Sequence, residues 1–197
     1  MFNLSLNHFD FSLLWIKANL KKKIEDYLNN FQYDSASVVI QKAIKFSKTN
    51  SEEKFNYYIE YSRILRVLSK TDSCFYFLDK AEKFFKERQN QSKLFYILSI
   101  KAEIARSLVK RNSATNYIYE AEKLFDKNTN LEYKYYYLNR RIALLAEYHN
   151  NVPDSINKII KIGNDILQNQ QEIKDKSLIV YTLNEIGFLY FNPNPKK

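Results

Sequence analysis

The sequence is poor in the residues that interrupt helices and in those that most often carry catalysis. Its 197 residues include only two Gly, three Pro, one Cys and two His. This scarcity of helix breakers predicts an all-α chain with short polar turns. The usual phosphate-loop, metal-binding and nucleophile motifs are missing from the sequence, so we expect no enzyme activity, no cofactor and no catalytic or metal-ligating residue.

A second cysteine and a long apolar segment are missing too. Cys74 stands alone, which excludes a disulfide within the chain and favours a reducing, cytoplasmic location. We expect it to be a small buried residue, because neither His8 nor His149 lies in a motif that would activate a thiol. Residues 1–16 are apolar but carry polar side chains, and they are too short to span a bilayer and unlike a signal peptide.

What the sequence does contain is a repeated triplet of packing residues. A small residue is followed four positions later by an aliphatic residue and three positions after that by Ala, which puts all three on one face of a helix. The copies, about 40 residues apart, are Ala36-Ile40-Ala43, Cys74-Leu78-Ala81, Ala114-Ile118-Ala121 and a weaker Ser155-Ile159-Ile162. Twelve residues upstream of each copy lie Ile24, Ser62, Ala102 and Ala143, mostly small residues on a preceding helix. The period predicts an array of helix pairs.

Turn and cap residues fit the same period. We expect helix pairs at 14–30 with 34–48, 52–69 with 73–88, 92–110 with 114–127, and 131–149 with 154–169, then an unpaired helix at 174–191. Ser51 or Asn50, Asp72, Ser113 and Asn130 are candidate N-caps, and Pro153 suits the start of a helix. Residues 1–13 are expected to form an N-terminal extension, 14–192 one helical repeat domain, and 193–197 a tail or linker.

The repeats resemble the tetratricopeptide family. Leu183, Ile186, Gly187 and Tyr190 follow the pattern of the first helix of that repeat, and the triplets follow the second. The resemblance implies a right-handed superhelical array of antiparallel helix pairs. The units are longer than the standard one of about 34 residues, no Pro closes them, and other residues occupy the signature Trp position, so HEAT-type helical units are the alternative.

The last predicted helix has no second helix after it in this sequence. Its apolar residues Leu183, Ile186, Leu189 and Phe191 would then face nothing, and an uncapped repeat leaves an apolar face in water. We expect the chain to continue in a longer protein or to pair with another copy of itself.

The resemblance also implies a binding groove along the first helices. Transferring the family's groove positions to this sequence selects Asn56, Arg63, Arg66, Tyr96, Ser99, Arg106, Tyr137, Arg140, Tyr148 and Asn184. Four of the seven arginines of the chain fall in this set. Because a guanidinium binds carboxylate or phosphate with two parallel hydrogen bonds, an acidic or aromatic peptide is the expected ligand. Alternatively, these arginines pair with Glu103 and Glu147 on neighbouring helices.

Two functions are open at this point. The segments from Tyr137 to Tyr148, Asp175 to Leu178 and Leu183 to Gly187 resemble the tetratricopeptide sensor regions of Bacteroidetes signalling proteins. That resemblance implies a non-catalytic protein-binding scaffold in a signalling or transcription-regulating protein, although no kinase or helix-turn-helix motif is present. The formal charge of +9 supports the alternative of a nucleic-acid-binding helical repeat. An excess of Lys from adenine- and thymine-rich codons would give the same charge.

Overall fold

The computed structural model describes residues 5–126, 129–149, 153–173 and 175–191, and within these ranges the chain forms nine α-helices and no strand. The helices are α1 (Ser5–Asn29), α2 (Tyr33–Phe46), α3 (Glu52–Val67), α4 (Thr71–Glu87), α5 (Gln91–Ser107), α6 (Arg111–Lys123), α7 (Leu131–His149), α8 (Pro153–Gln168) and α9 (Ser177–Phe191). The predicted all-α class is confirmed. The main difference is at the first helix, which begins at Ser5 and so includes most of the predicted extension. Residues 192–197, the predicted tail among them, lie outside the described ranges.

The helices fall into two compact units, Met1–Glu87 and Arg88–Lys197, called here unit 1 and unit 2. In unit 1, α2 contacts α1 and α3, and α3 contacts α4. Aromatic rings fill the space between α3 and α4: Phe55 stacks on Phe84 with ring centroids 3.9 Å apart, and Phe77 contacts the ring of Tyr61 at 4.9 Å. Large rings give these short helices enough buried area to hold together.

Unit 2 has a layer of first helices. The helix α7 contacts both α5 and α9, while α6 packs on α5 and α7, and α8 packs on α7 and α9. The core between α5, α6 and α7 consists of Phe95, Ala102, Ala105, Ala114, Ile118, Ala121, Tyr137 and Leu144. The small residues let the backbones approach, and the rings fill the remaining volume.

The triplet positions are buried as predicted in the first three copies, with no member more than 8% exposed. The upstream residues Ser62, Ala102 and Ala143 are no more than 2% exposed. In the fourth copy Ser155 and Ile159 are buried as predicted, but the last position is shifted by one residue: Ile162 is only half-buried, and Gly163 is buried instead. A Cβ at Gly163 would lie 2.3 Å from Cδ1 of Ile186, so α8 and α9 pack closely at this glycine.

Short turns with left-handed residues replace the glycines that the sequence lacks. After α5, Val109 adopts a φ of 57°, and the amides of Val109 and Lys110 donate to the carbonyls of Arg106 and Ala105. This pattern is the Schellman motif that closes many helices, usually with Gly at the left-handed position. The turns after α1 and α3 repeat it, with Phe31 and Ser69 in the left-handed conformation.

Two of the predicted caps are confirmed and two are wrong. The Ser51 hydroxyl accepts from the amide of Lys54, and the Asn130 side chain accepts from the amide of Tyr133. Asp72 and Ser113 instead lie inside the first turns of α4 and α6, because the tight preceding turns let these helices start two and three residues earlier than predicted. Asn90, which was not predicted, caps α5. Pro153 is the first residue of α8, as expected.

Cys74 is fully buried, as predicted. Burial raises the pKa of its thiol to about 11 and outweighs the lowering effect of the nearby Arg66 charge. The thiol is therefore protonated at neutral pH, which fits a packing residue. In the part of the chain that the structure describes, no helix has the length and apolar character needed to cross a membrane.

Candidate functional site

The layer formed by α5, α7 and α9 gathers five charged side chains of unit 2: Glu103, Arg106, Arg140, Glu147 and Glu185. We call this group the charge cluster. Its inner part is an ion pair between α5 and α7, in which Nη1 of Arg140 donates to Oε1 of Glu103 at 2.7 Å. The two side chains are 7% and 6% exposed. Removing two charges from water is costly, and the ion pair offsets part of that cost.

Aromatic residues complete the inner part. The Tyr136 hydroxyl donates to the other carboxylate oxygen of Glu103. The Arg140 guanidinium also lies 4.7 Å from the ring centre of Tyr136 and 5.6 Å from that of Tyr181 on α9. Rings on two helices therefore hold this guanidinium by cation–π contacts as well as by the salt bridge.

The outer part of the charge cluster is a second ion pair between the same two helices. Arg106 donates from Nη1 to Oε2 of Glu147 at 2.9 Å, and these side chains are 28% and 37% exposed. The Nε of Arg106 is buried and has no hydrogen-bond partner among the described residues. Tyr148, the next residue along α7, packs half-buried against the core, with the Arg111 guanidinium 4.9 Å from its ring centre.

Glu185 connects α9 to both pairs. Burial raises the pKa of its carboxyl group, and the charges of Arg106 and Arg140 oppose that rise while Glu147 adds to it. The carboxyl group of Glu185 therefore interacts with the charges of Arg106, Arg140 and Glu147. The net charge of the cluster becomes less negative when Glu185 takes up a proton.

Three of the predicted groove residues in unit 2 lie in the interior. Tyr96 is 6% exposed and stacks on Tyr133 with centroids 4.1 Å apart. Ser99 is fully buried and donates its hydroxyl hydrogen to the carbonyl of Phe95 at 2.8 Å. Tyr137 is 3% exposed, and burial raises its pKa to about 12 against the lowering effect of Arg141. Because rings of α7 pack directly on α5, these side chains belong to the helix interface and do not line a surface.

The other predicted residues of unit 2 are placed differently. Arg106 and Tyr148 are half-buried, Asn184 is exposed on α9, and Arg140 is the buried arginine of the inner pair. The alternative pairing with Glu103 and Glu147 is therefore confirmed for two of the four arginines. Tyr136 and Glu185 are the members of this region that the sequence prediction missed. Glu185 follows Tyr181 by four residues, so helical spacing was the signal that could have identified it.

The remaining predicted residues, Asn56, Arg63 and Arg66, lie on α3 in unit 1. All three are partly buried. Arg63 donates to Glu60 at 3.1 Å within the same helix, and the buried Oδ1 of Asn56 has no hydrogen-bond partner among the described residues. Arg66 lies close enough to Cys74 to lower the pKa of the thiol.

The chemistry available to the charge cluster is ion pairing. Within the described ranges, no group of three or more His, Cys, Asp and Glu side chains is arranged to hold a metal ion. Arg106 is the guanidinium of the cluster that solvent can reach, and its partner Glu147 is more exposed still. A carboxylate from outside can therefore compete with Glu147 for the same guanidinium.

No protein-family model matches the chain, and no curated protein matches its sequence. Among solved structures, the chain is similar to that described as "Crystal structure of BtubC (BKLC) from P. vanneervenii". The TM-score is 0.60 at 14% sequence identity, over 92% of this chain and 84% of the other. At this identity the likeness concerns the fold alone, and a helical-repeat solenoid is compatible with it.

Proposed function

We propose that the protein is a non-catalytic helical-repeat scaffold of the tetratricopeptide-like class, which binds a protein or peptide segment. The support is the recurrence of one buried small–aliphatic–Ala stripe in α2, α4 and α6, with small buried residues on the helices before α4 and α6. In this proposal the helix pairs are antiparallel and follow one another in a right-handed superhelix. By the same resemblance, the chain serves as the sensor or regulatory part of a bacterial signalling protein.

One observation carries the binding proposal, namely the half-exposed pair of Arg106 and Glu147 on the α5–α7–α9 layer. A guanidinium can give a carboxylate two parallel hydrogen bonds, whereas Arg106 makes one hydrogen bond to Glu147. A partner carboxylate that accepted from two nitrogens of the guanidinium would make one more hydrogen bond than Glu147 does. We therefore propose an acidic side chain as the anchoring group of the partner.

The inner pair supports this role by fixing the position of the layer. Arg140 and Glu103 join α5 to α7, and Arg140 also contacts the Tyr181 ring on α9. Arg106 is one helical turn from Glu103, so it is presented from a surface that is already ordered. Preorganisation of this kind lowers the entropic cost of binding.

Neighbouring groups on α9 suggest what else the partner contains. The Tyr181 ring is 47% exposed, and Asn184 is exposed one turn later. A half-exposed ring favours contact with an aromatic or aliphatic side chain, while an amide can bond a peptide backbone. The ligand class that we propose is therefore a peptide segment with an acidic residue close to an aromatic one.

A lone cysteine with a protonated thiol favours a reducing environment. We therefore propose that this binding takes place in the cytoplasm. Nucleic-acid binding is the competing function, based on the net charge of +9. The charge cluster presents one half-exposed guanidinium and no basic stripe that could follow a phosphate backbone, so we favour the peptide.

A binding panel tests the proposal. Fluorescein-labelled peptides rich in Glu, Asp and Tyr are compared with peptides of the same sequence in which Gln and Asn replace the acids. Random single-stranded DNA and RNA are measured beside them at low and moderate salt. The proposal predicts polarisation changes for the acidic peptides alone. Equal binding of the amide peptides contradicts it, and nucleic-acid binding that falls steeply with salt would favour the alternative.

A further inference from the structure

The turn between α5 and α6 carries three positive charges. They belong to Arg106, Lys110 and Arg111, which lie within six residues of the chain and which we call the turn cations. Arg106 pairs with Glu147, whereas Lys110 and Arg111 are exposed and form no ion pair with a described carboxylate. Positive charge that no ion pair neutralises attracts an anionic ligand to this end of unit 2.

Arg111 is held in position although it has no ion pair. The central carbon of its guanidinium lies 4.9 Å from the ring centre of Tyr148, and Nη2 donates to the Tyr148 carbonyl oxygen in a long bond of 3.5 Å. A guanidinium carries five N–H donors. Because Arg111 is exposed and uses one donor in this way, its other donors are open to solvent.

Arg106 and Arg111 both act on Tyr148. Burial raises the pKa of the Tyr148 hydroxyl and the charge of Glu147 adds to the rise, whereas the charges of Arg106 and Arg111 lower it. Such effects weaken with distance, so both guanidinium groups lie near this one side chain. A peptide whose acidic side chain binds Arg106 therefore has Arg111 within reach.

A tight turn fixes the two arginines relative to each other. Arg106 lies in the last turn of α5, and Arg111 is the first residue of α6. Between them, the amides of Val109 and Lys110 donate to carbonyls at the end of α5, each at 2.9 Å. The turn is thus ordered before a ligand binds, which lowers the entropic cost of binding. Because Arg111 lies on a second helix, it is not one of the groove positions of the first helices.

We propose that Arg111 is a second anchor of the peptide site and binds an additional acidic side chain of the peptide that Arg106 holds. The inference rests on the proposed function and narrows the ligand from a peptide with one acidic residue to a peptide with two. At Arg106 the ligand competes with Glu147, but at Arg111 a carboxylate can accept two parallel hydrogen bonds without displacing one of the protein. Arg111 therefore adds affinity and selects for the second acid.

Substitutions in the peptide and in the protein are combined to test the second anchor. The probes are fluorescein-labelled, amidated peptides with two Glu residues separated by zero to three others. An extended chain advances about 3.3–3.6 Å per residue, so the series spans about 3–14 Å between the two acids. In the peptide that binds most tightly, Gln then replaces each Glu in turn. On the native chain each replacement is expected to weaken binding about fivefold.

The Arg111→Gln variant should remove the effect of one replacement and keep the effect of the other, which reports on Arg106. Lys123→Gln is the matched control, because Lys123 lies on the same helix, is half-exposed, and has its ammonium 4.4 Å from the Tyr119 ring centre. It should leave both effects unchanged. Arg111→Lys keeps the charge and lacks the planar donors, so it is expected to recover part of the affinity. Thermal unfolding checks that every variant is folded.

The second anchor and the proposed function can fail separately. If both replacements keep their full effect in Arg111→Gln, the second anchor is wrong, while weaker binding by Arg106→Ala would still support the proposed function. If neither replacement matters on the native chain and Arg106→Ala binds as well as the native chain, both are wrong. Single-stranded DNA that binds the native chain but not Arg111→Gln would assign Arg111 to phosphate and would also overturn the inference.

Discussion

Arg140 and Glu103 form a buried ion pair between α7 and α5, with 2.7 Å between the guanidinium nitrogen and the carboxylate oxygen. Both side chains are withdrawn from water, so exchanging either partner would break an ion pair inside the protein, which is costly. The exposed pair of Arg106 and Glu147 joins the same two helices and lacks that constraint. This contrast separates an arginine that holds the layer together from one that can bind.

Removing one member of the buried pair should destabilise the protein strongly. We expect Arg140→Ala to lower the free energy of unfolding by about 3–5 kcal/mol, because the buried carboxylate of Glu103 loses the guanidinium that pairs with it. Arg141→Ala is the matched control, since Arg141 pairs with Glu122 at 3.0 Å but at a more exposed position, and it should cost about 1 kcal/mol or less. Urea denaturation measures both. Equal effects of the two variants would show that the Arg140 pair contributes no more than a surface pair.

The left-handed turn residue Val109 should be improved by glycine. A branched residue at a φ of 57° is strained, and Val109 is 78% exposed, so little packing is lost on replacement. We expect Val109→Gly to raise the free energy of unfolding by about 0.5–1 kcal/mol after the added flexibility of the unfolded chain is counted. Val38→Gly, within α2, should lower it by a similar amount. A loss of stability in Val109→Gly would mean that the turn is not under strain.

Glu185 should make stability depend on pH. Burial raises its pKa in the folded chain, so the folded state binds this proton more tightly than the unfolded state. The stabilisation is then complete at acid pH and is lost as the pH rises through the raised pKa. Glu185→Gln should therefore unfold at a higher temperature than the native chain at about pH 8, and the difference should shrink towards about pH 4. The exposed Glu172→Gln serves as control. An unchanged difference at the two pH values would contradict the assignment.

The two glycines should respond in opposite ways to alanine. Gly187 has open space around it within a helix, so Gly187→Ala should stabilise the protein by about 0.5–1 kcal/mol. At Gly163 the new Cβ would come within 2.3 Å of Ile186, and the side chain of Ile186 would have to move. We expect Gly163→Ala to be less stable than Gly187→Ala by about 1 kcal/mol or more. Thermal unfolding at low protein concentration measures this, and the reverse order would show that α8 and α9 are not in close contact at Gly163.

The repeated triplet was sufficient to predict the helix order and most of the buried positions. Small residues such as Ala36, Cys74 and Ala114 can be recognised from spacing alone, because close packing of helices requires them at fixed intervals. The shift from Ile162 to Gly163 could not be recognised in this way. It depends on where the Ile186 side chain of α9 packs against α8, and the spacing within α8 does not reveal that position.

The binding surface was harder to predict from the sequence than the fold was. The transferred register placed Ser99 and Tyr96 in a groove, but rings from α7 cover that part of α5. The partners of Arg106 and Arg140 could be proposed, since Glu147 and Glu103 lie on adjacent helices. Which of the two pairs is buried could not, because burial depends on how Tyr136 and Tyr181 pack around Arg140.

The most direct test of the account compares Arg106→Ala with Arg141→Ala in the binding of an acidic, tyrosine-containing peptide. The two arginines have similar exposure, 28% and 34%, and each pairs with one glutamate, but Arg141 pairs with α6 and lies outside the charge cluster. We predict that Arg106→Ala weakens binding at least tenfold, a loss of about 1.4 kcal/mol or more, while Arg141→Ala leaves it unchanged. Glu147→Gln, which frees Arg106, should tighten it. If all three variants bind the peptide as the native chain does, Arg106 is a structural residue and the proposed site is wrong.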